Sequence, residues 1–334
     1  MKYFNIPIFV AHEGCPFDCI FCNQRKITGV DTSMTAPEVT KIITEHLETL
    51  PRDNSHIEVA FFGGSFTGIS PQKQEEFLSI AKGFLEGGKI DGIRLSTRPD
   101  FISDEVLKRL KNYGVTMVEL GVQSMCDEVL LASRRGHTKA DVINAAHLIK
   151  SYEIGLGLQM MTGLPGDTPE RSVATAREIA ALNPDAVRIY PTLVLSETAL
   201  YKMYENGEYV PQDLDEAVLL AKKLLEIFKE KNIPVIRVGL ATTDVICSGG
   251  AIAAGPYHPA FRELCEGEFY YDAFEKLLCE NPDVTAVSVK DTEVSRAVGI
   301  AKRNIIKIKE KYGIDLLVKP DASMEKGSIK IWKE

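Results

Sequence analysis

Two periodicities alternate over the first two thirds of this chain, and that rhythm most restricts its fold. Apolar runs rich in β-branched or aromatic residues stand at 4–10, 57–63, 92–97, 115–122, 154–161 and 186–192. Longer segments of helical period separate them. Several helix starts are legible. Thr35 and Glu38 have capping-box spacing, Thr168 precedes a proline at the first helical position, and Asp213 with Glu216 opens the segment DLDEAVLLAKKLLEIFKEKN. Strand–helix repetition of this kind predicts a parallel sheet, open or closed into a barrel.

The alternation inside the strands narrows the choice. In VTMVELGVQ one face carries Val118, Leu120 and Val122, and the other Met117, Glu119, Gly121 and Gln123. Arg94, Ser96 and Arg98 share a face of the third run, Gln159 and Met161 of the fifth, and Arg188 and Tyr190 of the sixth. Strands covered by helices on both sides read as continuous apolar runs. A recurrent polar face instead predicts a wide lumen lined by polar groups. The expected fold is α/β, a partial (β/α)6 barrel over 1–240 with a small α+β carboxy-terminal domain over 241–334. Gly63-Gly64-Ser65, Ser96-Thr97-Arg98, Glu119 to Gln123, Gln159 and Tyr190 all fall at or near strand carboxyl ends, the rim where parallel β/α architectures build their sites.

Charge and cysteine usage exclude other classes. The 334 residues hold 39 Lys and Arg against 47 Asp and Glu, a net charge of −8, so the chain is not a strongly basic nucleic-acid coat. A local basic patch stays open, because net charge averages over faces. Seven cysteines, an odd number in a long chain, do not make a secreted disulfide framework. The amino terminus lacks a signal-peptide pattern, and no run approaches the ~18 apolar residues of a membrane span. The expected location is the cytoplasm, with no membrane partner.

Cys15, Cys19 and Cys22 lie in GCPFDCIFCNQ, spaced CxxxCxxC, directly after the first strand. Thiolates are the soft ligands of iron–sulfur and zinc sites. Structural zinc and ferredoxin clusters call for four protein ligands. Three leave one iron of a 4Fe–4S cluster open to a non-protein ligand. His12, Cys126 and Cys247 are the alternatives for a fourth.

This spacing, with Phe21 before the last cysteine, resembles the signature of the radical S-adenosylmethionine (SAM) superfamily. Within it, GCPFDCIFCNQRKITG, FFGGSFTG, LSTRPDFI, VELGVQSMCDEVLLASRRGHT, MMTGLPGDT and VRIYPTLVLSETALY resemble the radical SAM domain of the Elongator catalytic subunit family. A weaker match continues through VIRVGL and AGPYHPAFREL. The acetyltransferase domain of that family and its basic amino-terminal extension are not expected between Met1 and Glu334. The resemblance implies that Cys15, Cys19 and Cys22 hold a 4Fe–4S cluster whose open iron binds SAM. Reductive cleavage would then give methionine and a 5′-deoxyadenosyl radical that abstracts hydrogen. It implies Phe21 against the adenine and Gly63 and Gly64 beside the methionine part. Ser65 stands where many members carry a carboxylate for the amino group. Ser96, Arg98, Glu119, Gln123, Gln159 and Tyr190 are candidates for the ribose, the carboxylate or the substrate. The implied partners are tRNA, modified at the wobble uridine, an electron donor such as flavodoxin or ferredoxin, and a partner protein. Alternatives are a tetrapyrrole or other small-metabolite substrate, and a non-catalytic iron–sulfur or zinc protein.

Other features have plainer readings. Gly163-Leu164-Pro165-Gly166 is a turn or a ligand cradle. Arg134-Arg135-Gly136-His137 is first a solvated helix end and second a phosphate contact. Tyr257-His258-Pro259 starts a helix. Lys302, Arg303, Lys307, Lys309 and Lys311 on an expected helix over 298–312 form a solvated face, with phosphate contact as the lesser reading. Cys126, Cys247, Cys265 and Cys279 are buried thiols.

Overall fold

A computed structural model describes residues 1–10, 15, 19–23, 34–240 and 251–332. His12 and Cys247, two of the alternatives for a fourth ligand, lie outside the described residues. Seven strands form one parallel sheet: β1 (Lys2–Val10), β2 (Ser55–Gly63), β3 (Gly92–Thr97), β4 (Met117–Gln123), β5 (Gly155–Thr162), β6 (Ala186–Pro191) and β8 (Val235–Val238). They are hydrogen-bonded in chain order, and the sheet curls into a half-barrel of the expected α/β type. The seventh strand was not among the runs predicted from sequence. Four residues are too few for a period-2 signal.

Helices connect the strands: α1 (Ala36–Thr49), α2 (Pro71–Glu86), α3 (Asp104–Asn112), α4 (Asp127–Ala132), α5 (Lys139–Ser151), α6 (Pro169–Ala181), α7 (Ala199–Glu205) and α8 (Leu214–Glu230). Their starts follow the sequence signals. The capping boxes of Thr35 and Asp213 are formed, and the Thr168 side chain accepts from the Arg171 amide. Thr138 makes a further box ahead of α5.

Ile6, Ile8, Val59, Phe61, Leu95, Val118, Leu120, Leu158 and Ile189 are essentially inaccessible to solvent and belong to one core with the helices. Because strand side chains alternate, Glu58, Arg94, Glu119 and Arg188 lie on the opposite, concave face.

A short pair, β7 (Val194–Leu195) with β9 (Ile252–Ala254), flanks the sheet. Beyond it comes α9 (Phe261–Glu280), then β10 (Ala286–Lys290), α10 (Val294–Val298), α11 (Arg303–Tyr312), β11 (Leu317–Asp321) and β12 (Ile329–Ile331). The three strands form a second sheet with β10 in the middle, parallel to β11 and antiparallel to β12. Helix α9 contributes Phe261, Leu264 and Cys265 to the large core, and Tyr270, Phe274 and Leu278 to a second one. The helix expected from 298 starts at Arg303, because Ala301 and Lys302 take φ values of 52° and 63°. Among the described residues no helix is long and apolar enough to cross a membrane.

Candidate functional site

Cys19 meets the turn after α4 and, through Arg135, the carboxyl end of β4. Cys15 is exposed, Cys19 buried and Cys22 half-buried. The Cys22 amide donates to the Cys19 carbonyl at 3.0 Å, and the Ile20 amide to the Ser133 carbonyl at 3.3 Å. These bonds tie the cysteine segment to the turn after α4. From that turn Arg135 reaches back. Its Nη1 lies 3.3 Å from Cys19 Sγ, and its Nη2 donates to the Gly121 carbonyl at 2.8 Å. Phe21 packs at the edge of an apolar cluster of Ile20, Val194, Leu200 and Tyr209.

Next to this segment a polar knot joins β2 to β3. Gly63 ends β2 at φ 108°, where a side chain would be strained, and the Gly64 amide donates to the Val10 carbonyl at 3.1 Å. Ser65 and Thr97 hydroxyls are 2.7 Å apart, and Thr67 lies 2.5 Å from Thr97. The Arg98 amide donates to Ser65 Oγ at 3.3 Å. The Arg98 side chain, 2% exposed, grips Asp100 through Nε at 2.9 Å and Nη2 at 3.0 Å. Its Nη2 also donates to the Arg135 carbonyl at 2.6 Å. Ser96 is half-buried on β3.

Deeper in the concave face lies an ion network. Arg94 pairs with Glu58 on β2 and donates to Glu119 Oε1 on β4 at 3.0 Å. Arg188 on β6 reaches the same carboxylate, Nη2 to Oε1 at 2.9 Å and Nε to Oε2 at 2.6 Å. The Arg188 guanidinium also lies over the Phe62 ring, 5.0 Å from its centroid, and Nη1 is 3.5 Å from the Tyr190 hydroxyl. Burial by itself would lower the Arg188 pKa, but the Glu119 charge and its hydrogen bonds hold it above the usual arginine value. Between network and rim, Gln159 Nε2 donates to Gln123 Oε1 at 3.3 Å. Gln123 sits at a bulge with φ 66°, a left-handed conformation that costs a non-glycine residue on the order of 1 kcal/mol. Bulges re-aim side chains and recur beside sites.

The structure thus brings Arg94, Glu119, Gln123, Gln159, Arg188 and Tyr190 onto one face. Two sequence readings change. Arg135 and His137 are not a solvated helix end: they are 8% and 3% exposed. His137 Nε2 lies 3.2 Å from the Val122 carbonyl. Its pKa is pushed down to about 4, first by burial and then by the charges of Arg135 and Arg98. The basic residues of α11 are not simply solvated either. Lys307 and Arg303 pair with buried Glu268, and Lys311 with Glu275. Cys265 is buried as expected, and burial pushes its thiol up to about 12, but Cys279 is exposed and Cys126 half-buried. His258 accepts from the Ala260 amide at the start of α9, the structural role expected of it.

Sequence reasoning did not single out Glu58, although Glu58 breaks an apolar run at a concave-face position. It also treated Arg135 as solvated. Its position three residues past the end of α4 carried no sign that the turn folds back to Cys19.

Among the described residues no three Cys, His, Asp or Glu side chains are gathered to hold a metal ion. The donor chemistry nevertheless fits a three-thiolate cluster: three cysteines in one short segment, one of them against a guanidinium.

Comparison with known proteins agrees with this geometry. The model of the radical SAM superfamily matches residues 9–179, and that of the radical SAM C-terminal domain matches 184–271. The chain is 32% identical over 252 residues to a tRNA uridine(34) acetyltransferase of Methanocaldococcus jannaschii, covering 64% of this chain and 47% of that protein. It is 28% identical over 284 residues to Elongator complex protein 3 of Homo sapiens, covering 74% and 51%. The structure of an archaeal Methanocaldococcus infernus Elp3 lacking its first 46 residues superposes with a TM-score of 0.62 at 25% identity, over 83% of this chain and 63% of that one. The chain spans about half the length of these curated relatives. On the extent of the family match and the half-barrel fold, this chain belongs to the radical SAM superfamily.

Proposed function

We propose that this chain is a radical SAM enzyme acting on a uridine in tRNA. Cys15, Cys19 and Cys22 would hold a 4Fe–4S cluster, and a one-electron donor of the flavodoxin or ferredoxin kind would reduce it. Bound together, cluster and SAM supply reductive cleavage of the sulfonium and a 5′-deoxyadenosyl radical for hydrogen abstraction. The observation that carries this reading is the Arg135 guanidinium on Cys19 at the mouth of a polar lumen.

The chain's own residues divide the remaining work. Arg135 places a hydrogen-bond donor and a positive charge at Cys19 and offers that charge to a carboxylate at the same place. Gly63 and Gly64 leave room for close approach of a ligand to the backbone. Gln123, Gln159 and Ser96 offer neutral hydrogen-bonding groups to hydroxyls or to a base. Glu58, Arg94, Glu119 and Arg188 form a network whose charges satisfy one another. The uridine substrate is supported by the tRNA uridine(34) acetyltransferase among the relatives.

The test is anaerobic. The protein is reconstituted with iron and sulfide, given SAM and a strong reductant, and assayed for 5′-deoxyadenosine with and without tRNA. The expected result is product that rises with tRNA, does not rise with free uridine, and is lost in Cys19→Ala. A well-formed cluster with no SAM binding and no product would refute the enzyme reading. Product indifferent to tRNA would refute the substrate.

A further inference from the structure

We infer that Arg98 is a positioning residue: it holds the turn after α4 so that Arg135 stays on the Cys19 sulfur, and through Arg135 it raises the reduction potential of a cluster bound there. The inference rests on the proposed cluster at Cys15, Cys19 and Cys22.

Three observations carry it. First, Arg98 heads the largest fully buried side chains of the molecule, yet it is an arginine. Its charge is matched by the two-point grip on Asp100, and its guanidinium lies 5.7 Å from the Phe101 ring centroid. A side chain so engaged, with Nη2 shared between Asp100 and the Arg135 carbonyl, is a brace.

Second, the turn it braces is contorted. Arg134 and Gly136 have φ values of 51° and 79°. The Arg135 amide is held by the Leu130 carbonyl at 2.9 Å, on the α4 side. The Arg135 carbonyl faces the other way and is held by Arg98 at 2.6 Å. Amide and carbonyl clamped from opposite sides fix the direction in which the side chain leaves.

Third, that direction is used. The Arg135 guanidinium crosses β4 at Gly121, where a Cβ would lie 2.6 Å from Nη2, and ends on Cys19. A donor and a positive charge on a cluster thiolate stabilise the reduced, more negative state, so hydrogen bonds to the sulfurs and net charge raise the potential.

The experiment is an EPR-monitored redox titration of the reconstituted full chain without SAM. It compares wild type, Arg135→Met, Arg98→Met, Arg98→Lys and the Arg98→Met/Arg135→Met double variant. Iron content and thermal melting are recorded for each. Arg135→Met is expected to shift the reduction equilibrium about tenfold toward the oxidised cluster, which for one electron is 59 mV. Arg98→Met is expected to shift it the same way, and the double variant no further than Arg135→Met, since residues acting through one contact are not additive. Lysine at 98 lacks the planar fork and should not restore the wild-type potential. If Arg98→Met does not fold, Asp100→Asn, which loosens the brace without removing it, is judged by the same criteria.

An Arg98→Met protein with full iron at the wild-type potential overturns the inference, as does an additive double variant or an unmoved potential in Arg135→Met. A wild-type chain that assembles no cluster refutes the proposed function itself, a result told apart by the wild-type sample alone.

Discussion

Glu119 is 4% exposed and answers two arginines, Arg94 from the adjacent β3 and Arg188 from β6, on the far side of β5. Removing one partner of a buried ion cluster leaves charge uncompensated, which costs about 3–5 kcal/mol. Glu119→Gln should therefore lower stability by about that amount in chemical denaturation, far more than an exposed Glu→Gln change. His137 carries a pH dependence of known sign. Its pKa is about 4 in the folded chain, against 6.5 for the free side chain. Between those values the unfolded chain takes up a proton that the folded one refuses. Stability is thus full above pH 6.5 and falls as pH drops toward 4, by on the order of 3 kcal/mol in total. From pH 7 to pH 5 the loss should be about 2 kcal/mol. Denaturant titrations of wild type and His137→Gln at both values isolate it, because carboxylate effects cancel in the difference. Equal losses in the two proteins would refute it.

At the scale of elements, glycines set how the concave face fills. A Cβ on Gly92 would lie 2.8 Å from Glu58 Oε1, one on Gly157 2.7 Å from Glu119 Cγ, and one on Gly121 2.6 Å from Arg135 Nη2. Each glycine gives up side-chain volume on its strand to a charged neighbour. Gly157→Ala should therefore displace Glu119 and cost about 1–3 kcal/mol, the usual range for overpacking. Gly83 is the control. It lies inside α2, with nothing within 4 Å of an added Cβ, so Gly83→Ala should stabilise by about 0.5–1 kcal/mol. Thermal melts of the two variants should move in opposite directions, and a shift of the same sign would overturn this account. From sequence Gly121 reads as a polar-face position. Which charge each glycine admits depends on the register between strands.

At the scale of the whole molecule, α9 links the two cores. Glu268 on it is 2% exposed and is paired with Arg303 and Lys307 of α11. A chain ended after Glu280 would expose Phe274 and Leu278 and strip Glu268 of both cations. It should be far less soluble than the full chain, and its main-sheet amides should exchange faster with deuterium. A soluble truncated chain with unchanged exchange would show the second core to be independent.

The sequence by itself determined the six longer strands, the helix starts at Thr35, Thr168 and Asp213, and the polar face of β3 to β6, because each is written in residues a few positions apart. It also carried the three-cysteine spacing. Tertiary structure alone decided the seventh strand, the central place of β10 and the partners across the concave face. It alone turned Arg135 from a helix end into a contact of Cys19, 116 residues away in the chain. Periodicity records which side of an element is apolar. It holds no information on which distant carboxylate or thiol an arginine will meet, since that depends on strand order, bulges and turn direction settled only when the sheet curls into its half-barrel.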